Sequence, residues 1–267
     1  RRISGIMFAG QKTSYYMVEA LSRNLRGPDP DWWHQRYLQQ AEWTRSLRHH
    51  LYRRLEIARC RRILEVGCGT GAIAEELAER TTAEVHGLDA DRSALALLRG
   101  RPRGRGVGLA AGDAEALPYP DGSFDLIATH YFWLWAGDPP QAARECRRVL
   151  RSGGVLAALA EPDYSRRKDV PNGNPPIGEF LSQDLKERGA NPEIGAGLRD
   201  IFIQAGFATE AGMLDGEVGL EVQPEIFQQE WEMLARLGYP SSELDSLKAS
   251  SGLKIIMPVH WAIGRRL

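Results

Sequence analysis

Ile63-Leu64-Glu65-Val66-Gly67-Cys68-Gly69-Thr70-Gly71-Ala72, with Asp89 downstream, is the stretch from which the remainder of the chain can be read. Ile63 to Val66 is a short, mostly apolar run that reads as a buried strand. Three glycines follow at alternate positions, and Ala72 to Ala78 then opens a helix. A glycine-rich turn between strand and helix lets backbone N–H groups approach a ligand closely, because no Cβ stands in the way. A second strand, Ala83 to Leu88, delivers Asp89, whose carboxylate can accept hydrogen bonds from both hydroxyls of a ribose.

Spacing alone leaves the glycines ambiguous. Gly67, Gly69 and Ala72 satisfy the dinucleotide pattern G-x-G-x-x-G/A, whereas Gly67, Gly69 and Gly71 give the tighter G-x-G-x-G. Glu65, just ahead of the turn, would repel a pyrophosphate but suits a ligand carrying ammonium or sulfonium charge. Further on, Gly112-Asp113-Ala114-Glu115-Ala116-Leu117-Pro118-Tyr119-Pro120-Asp121-Gly122-Ser123-Phe124-Asp125-Leu126-Ile127 adds another block in register. With these blocks in this order the chain resembles the class I S-adenosylmethionine-dependent methyltransferases, in particular the small-molecule and quinone-type, methyltransferase-11-like group. The resemblance covers residues 60–160 well and continues weakly to the C-terminus.

The resemblance implies a role for each of several residues. Gly67, Cys68, Gly69 and Gly71 line the methionine and ribose part of S-adenosylmethionine, Thr70 lends a hydroxyl, and Glu65 orders the loop or meets the amino group. Asp89 holds the ribose diol, Ala90 packs on adenine, Asp113 accepts from the adenine amino group, and Ala114 lies beside the ring. His130 falls next to the reacting centre and touches the cofactor, while Tyr37 and Arg36 are candidates to close over the methionine carboxylate. Methyl transfer from sulfur is an in-line displacement, and aligning two reactants can supply roughly 7–11 kcal/mol. If the acceptor is a phenol, carboxylate or thiol, a base at His130 or Glu161 would be useful; an anionic acceptor or a neutral amine needs none. Each residue also has a structural alternative. Asp89 or Asp91 can cap the following helix, Asp113 can start the turn at Ala114, Cys68 can be a small buried loop residue, and His130 can serve as a hydrogen-bonding strut.

Strands are expected near 62–66, 84–89, 106–111, 124–130 and 154–161, with helices near 71–80, 92–99 and 138–150. This alternation implies a parallel α/β sheet with helices on both faces. The resemblance extends it to a Rossmann-like seven-stranded, mostly parallel sheet of order 3-2-1-4-5-7-6. Residues 1–58 are expected to form an N-terminal helical lid, with Tyr15, Tyr16, Met17 and Leu21 at helical spacings and one long helix over 32–59. Residues 59–267 form the methyltransferase domain, with insertions about 163–194 and 222–252 building an acceptor-side cap. Helices are expected at 177–188, 198–205 and 224–250, a sixth strand from Gly206-Phe207, and a seventh from Ile255 to Gly264.

With 267 residues, 43% of them hydrophobic, the chain can bury a full α/β core and a modest extra unit. A net charge of -1 generates no field drawing it to nucleic acid or anionic membrane, and the Arg99 to Arg105 cluster reads as a solvated loop. Cys60, Cys68 and Cys146 form no CxxC pair, which fits a reduced, cytoplasmic setting. No apolar run approaches the ~18–20 residues that span a bilayer. His49 and His50 are adjacent on a helix and do not form a ligand pair, so no metal is expected. The expected partner is a small-molecule acceptor, aromatic or apolar given Tyr131, Trp133 and Trp135, with no nucleic acid and no membrane, on a monomer or homodimer. Open alternatives are an RNA or protein methyltransferase of the same fold, a non-catalytic S-adenosylmethionine-binding protein and, least favoured, a nicotinamide oxidoreductase. His130-Tyr131-Phe132-Trp133 stands where base-amino methyltransferases carry an Asn-Pro-Pro-Tyr or Asp-Pro-Pro-Tyr block.

Overall fold

Alternate residues of a strand point to opposite sides of a sheet, and the first strand shows what that dictates here. In β1 (Arg62–Val66), Ile63 enters one apolar cluster while Leu64 and Val66 enter another, and all three are fully buried. A strand buried on both faces must have helices on both faces. Each such fully buried aliphatic side chain contributes about 1.5–3 kcal/mol. The structure, a computed structural model, describes residues 30–219 and 224–267, so the expected helical spacing at Tyr15 to Leu21 lies outside the described residues.

Strand and helix alternate after β1: α3 (Ala72–Arg80), β2 (Glu84–Asp89), α4 (Arg92–Gly100), β3 (Val107–Ala111), β4 (Phe124–His130), α5 (Pro139–Val149) and β5 (Leu150–Pro162). They are preceded by α1 (Pro30–Trp43) and α2 (Arg45–Arg54). They are followed by β6 (Lys168–Val170), α6 (Ile177–Glu187), α7 (Leu198–Gln204), β7 (Ala208–Gly219), α8 (Pro224–Leu237), α9 (Ser241–Lys248) and β8 (Lys254–Arg265). The sheet runs β3-β2-β1-β4-β5-β8-β6, with β7 along β8. The first five strands are parallel, and β8 is antiparallel to β5, β6 and β7. Setting β6 aside, this is the expected 3-2-1-4-5-7-6 order. The short β6 is an addition, formed where Lys168 to Val170 pairs with Ile256 to Lys254. Helices α2, α3, α4 and α8 pack on the Ile63 side, and α5 and α7 on the Leu64 side.

The expected single helix over 32–59 is two helices. Thr44 donates to the carbonyls of Gln40 and Ala41, and Arg48 Nη1 also donates to the Ala41 carbonyl. Side chains thus compete for carbonyls that would otherwise carry the helical ladder, and the chain bends at Thr44. Likewise 224–250 is two helices, parted at Gly238, whose φ of +85° ends α8. Among the described residues no helix is long and apolar enough to cross a membrane. In the basic cluster, Arg101 pairs with the buried Glu75 of α3.

Candidate active site

The three glycines after β1 all adopt positive φ, at 75°, 49° and 92°, so each needs the freedom of glycine, yet their surroundings differ. A Cβ on Gly67 would sit 2.6 Å from the Phe132 ring, and one on Gly71 would sit 2.3 Å from Leu98. Those two glycines permit close packing. A Cβ on Gly69 would meet the Tyr37 ring at 3.5 Å, an ordinary contact, so Gly69 is the least crowded of the three. The turn is fixed by Gly67 and Cys68 N–H groups donating to the Leu88 carbonyl at 2.8 and 3.1 Å. Asp89 completes it, accepting from Gly69 N–H at 2.7 Å and from Asp91 N–H at 2.8 Å.

The cap of α4 is Asp91, which accepts from Ser93 and Ala94 N–H, so Asp89 is released from that duty. A carboxylate offers about four lone-pair sites, so Asp89 keeps acceptor capacity towards a diol. Burial pushes its carboxyl up from the usual range, and hydrogen bonds from the Asp91, Gly69 and Ala90 backbone oppose the shift. Gly112 N–H donates to the Asp89 carbonyl at 3.1 Å, which carries the start of the next block to the same edge. Asp113 accepts from Glu115 N–H at 2.9 Å, an Asx turn, while Ala90, next to Asp89, and Ala114, next to Asp113, are half-buried.

Glu65, near the end of β1, is buried, and one of its carboxylate oxygens, Oε2, has no partner. Burial and then the nearby Asp89 drive its carboxyl well above the usual range. A buried acceptor without a donor fits a cationic ligand group. Cys68 is buried, its thiol pushed up by burial, with Sγ 2.8 Å from where a Gly87 Cβ would lie. Its place is that of a small packing residue.

Tyr37 and Asp89 both lie against Gly69, and burial, then the Asp89 charge, raises the Tyr37 hydroxyl. The expected Thr70 hydroxyl is engaged by His34 of α1, Nδ1 to Oγ1 2.8 Å. His34 is lowered to about 4 by burial and then by Arg101, so it is neutral at pH 7.

At the end of β4, His130 Nε2 lies 2.8 Å from Thr44 Oγ1, and burial, then Arg48, lowers its pKa well below the usual value. Tyr131 follows with φ +54°, a strained conformation for a non-glycine residue. Glu161 explains how that strain is held. Its Oε2 accepts from Phe132 and Trp133 N–H at 3.2 and 3.0 Å, and its Oε1 from Leu134 N–H at 3.0 Å. Burial raises Glu161 to about 8 despite these three donors. Both oxygens serve the turn, so the base expected at Glu161 has the geometry of an anchor instead.

Arg36, a candidate for the donor carboxylate, pairs with α8 rather than with the glycine turn. Its Nη2 pairs with Glu230 of α8 at 2.5 Å, and Glu230 also pairs with Arg167, which grips Asp169. All four are buried. His34, Thr44 and Arg48 were missed by sequence reasoning. The available signal was Arg36, Gln40, Thr44 and Arg48, polar residues at four-residue steps inside an aromatic stripe.

A family model described as a methyltransferase domain, Methyltransf_11, matches residues 64–158. The chain is 40% identical over 121 residues to methyltransferase GfsG of Streptomyces halstedii, 44% of each chain. It is 46% identical over 98 residues to malonyl-[acyl-carrier protein] O-methyltransferase of Methylococcus capsulatus, 36% of each. It is 32% identical over 164 residues to demethylmenaquinone methyltransferase of Listeria monocytogenes, 55% of this chain and 69% of that one. The chain thus spans less than half the length of the first two relatives. In fold it resembles the YcgJ protein of Bacillus subtilis, with a TM-score of 0.56 at 20% identity, covering 82% of this chain and 98% of that one.

Proposed function

The chain belongs to the class I S-adenosylmethionine-dependent methyltransferase family, and we propose that it moves the sulfonium methyl to a small-molecule acceptor seated beyond the ends of β4 and β5. The cofactor of the family is S-adenosylmethionine, and the residues fit it. Gly69 is the least crowded glycine of the turn, the partnerless Glu65 oxygen suits the amino group, and Asp89 retains lone pairs for the ribose diol. Asp113, with Ala90 and Ala114, would hold adenine beyond the end of β3. Bound there, the cofactor supplies an already activated methyl group, so the protein's task is alignment and exclusion of water.

This chain's residues carry that task as follows. Tyr37 covers the open side of Gly69, and His34 pins α1 to the turn through Thr70. Glu161 fixes the strained turn from which Tyr131 projects. His130, held neutral, can take a proton from an acceptor hydroxyl, though its low basicity suits an acceptor that arrives anionic better.

The observation that favours a small acceptor is the roof. Helix α1 lies over the end of β4 through Thr44–His130, and it is joined to α8 by the buried Arg36–Glu230 pair. An interior closed on two sides suits a small group better than a polymer. Relatives named for malonyl-[acyl-carrier protein] and demethylmenaquinone support the same size class. Calorimetric titration with S-adenosylhomocysteine tests the cofactor site, and absence of binding at millimolar ligand removes the proposal. Transfer of labelled methyl from S-adenosylmethionine into a cell extract, followed by fractionation, tests the acceptor. Label is expected in the small-molecule fraction; label confined to RNA or protein selects the alternative.

A further inference from the structure

Buried polar groups are almost always partnered, so a cluster of exceptions marks a place where something else belongs. Such a cluster lies where α1 crosses the end of β4. Arg36 is 1% exposed, and Glu230 takes only its Nη2, leaving Nε and Nη1 buried without a partner. Its guanidinium lies 5.5 Å over the ring of Trp43, whose own Nε1 is buried and unpartnered. The Tyr131 hydroxyl, also buried and unpartnered, comes from the strained turn that Glu161 secures, and its ring lies tilted against His130, centroids 4.7 Å apart. His130 in turn touches Thr44, two turns along α1 from Arg36.

Every free atom in this set donates. Arg36 and Trp43 carry N–H groups with no accepting capacity, and the Tyr131 hydroxyl, near enough for the Arg36 charge to act on it, can donate as well. A surplus of donors around a guanidinium is met by an acceptor-rich anion, for which a carboxylate is the compact match. The donor's own carboxylate is the competing occupant. Helical geometry argues against it, since Arg36 is turned about 100° from Tyr37 and about 160° from His34, the residues that touch the glycine turn. Arg36 instead shares its side of α1 with Trp43 and the cap's Glu230.

We infer that the acceptor carries a carboxylate, and that Arg36, with Trp43 Nε1 and the Tyr131 hydroxyl, forms its binding site. This deepens the reading under Proposed function and rests on it. The carboxylate serves as the handle that orients the acceptor; no bond to it forms or breaks at Arg36.

The test keeps the two levels apart. Protein saturated with S-adenosylhomocysteine is titrated with benzoate and hexanoate, and in parallel with benzamide and hexanamide, followed by calorimetry and thermal shift. Carboxylates should bind roughly 10–100-fold more tightly than their amides, as expected for a hydrogen bond to a charged group. Arg36→Gln should erase that preference, Arg36→Lys should restore part of it, and Tyr131→Phe should reduce it, all with S-adenosylhomocysteine affinity unchanged. Because Arg36→Gln could unfold the chain by unbalancing Glu230, the double variant Arg36→Gln with Glu230→Gln is measured beside it, and the wild-type comparison needs no variant. Equal binding of carboxylate and amide, or no carboxylate binding at about 10 mM, a range in which simple ligands still register, overturns the inference. So does a loss of S-adenosylhomocysteine affinity in Arg36→Gln or Arg36→Lys, which would assign the arginine to the donor. Failure of S-adenosylhomocysteine to bind wild-type protein would instead sink the methyltransferase reading itself.

Discussion

The two ends of the cleft are built from different materials. Around β1, β2 and β3 the site is mostly backbone: positive-φ glycines, N–H groups donating to Leu88 and Asp89, and two acids one strand apart. Around β4 and β5 it is side chain: a buried chain of charges from Arg36 through Glu230 and Arg167 to Asp169, with Glu161 clamping a strained turn. A backbone cradle binds a fixed ligand with little tolerance for change. A side-chain vault can be re-specified without disturbing the sheet, at the risk that each charge depends on its neighbours.

The vault should break hardest. Glu230→Leu leaves Arg167 with Asp169 but strips the buried Arg36 of its acid, and removing one partner of a buried pair costs roughly 3–5 kcal/mol. A loss below 1 kcal/mol in chemical denaturation would mean the charges are solvated rather than coupled. The same residue sets a pH dependence. Glu230 is held down to about 2, with burial opposing and Arg167 then Arg36 lowering it. Its folded pKa lies below the unfolded value near 4.3, so its stabilisation is complete above that value and lost as pH falls towards 2. Glu230→Gln should flatten this acid limb of the stability curve.

Next in size, Gly71→Ala forces both positive φ and a clash with Leu98, and should cost roughly 2–4 kcal/mol. Gly69→Ala, which meets only an ordinary contact with the Tyr37 ring, should cost only about 1–2 kcal/mol, from the positive φ, while altering the turn that faces the ligand. Equal destabilisation of the two would erase the division between packing and binding glycines. Asp89→Ala should weaken S-adenosylhomocysteine by roughly 10–100-fold with the fold retained, read by calorimetry and circular dichroism. Unchanged affinity would show that the acid only orders the turn. Last is Thr44→Val, which removes the hydroxyl's contacts to His130, Arg48 and the Gln40 and Ala41 carbonyls and should cost about 1–2 kcal/mol in thermal unfolding.

The backbone end was legible in the sequence because its determinants are local. A strand, a turn and a helix lie within Ile63 to Ala78, and the expected strand limits 62–66, 84–89 and 124–130 coincide with those observed. What stayed hidden depends on distant partners. Arg36 and Glu230 are 194 positions apart, and nothing in either neighbourhood announces the pairing. The three residues of β6 are a strand only because β8 supplies the ladder. Thr44 ends α1 through carbonyls captured by side chains, which no apolar periodicity encodes.

The bend at Thr44 has a kinetic corollary. Helix α1 and the Thr44 that follows it touch the glycine turn through His34, β4 through Thr44 and α8 through Arg36, so three contacts depend on one short stretch of chain. Were spent nucleoside to leave past this stretch, all three contacts would have to shift about the bend at Thr44. Turnover would be paced by this opening, and product departure rather than chemistry would govern the steady-state rate.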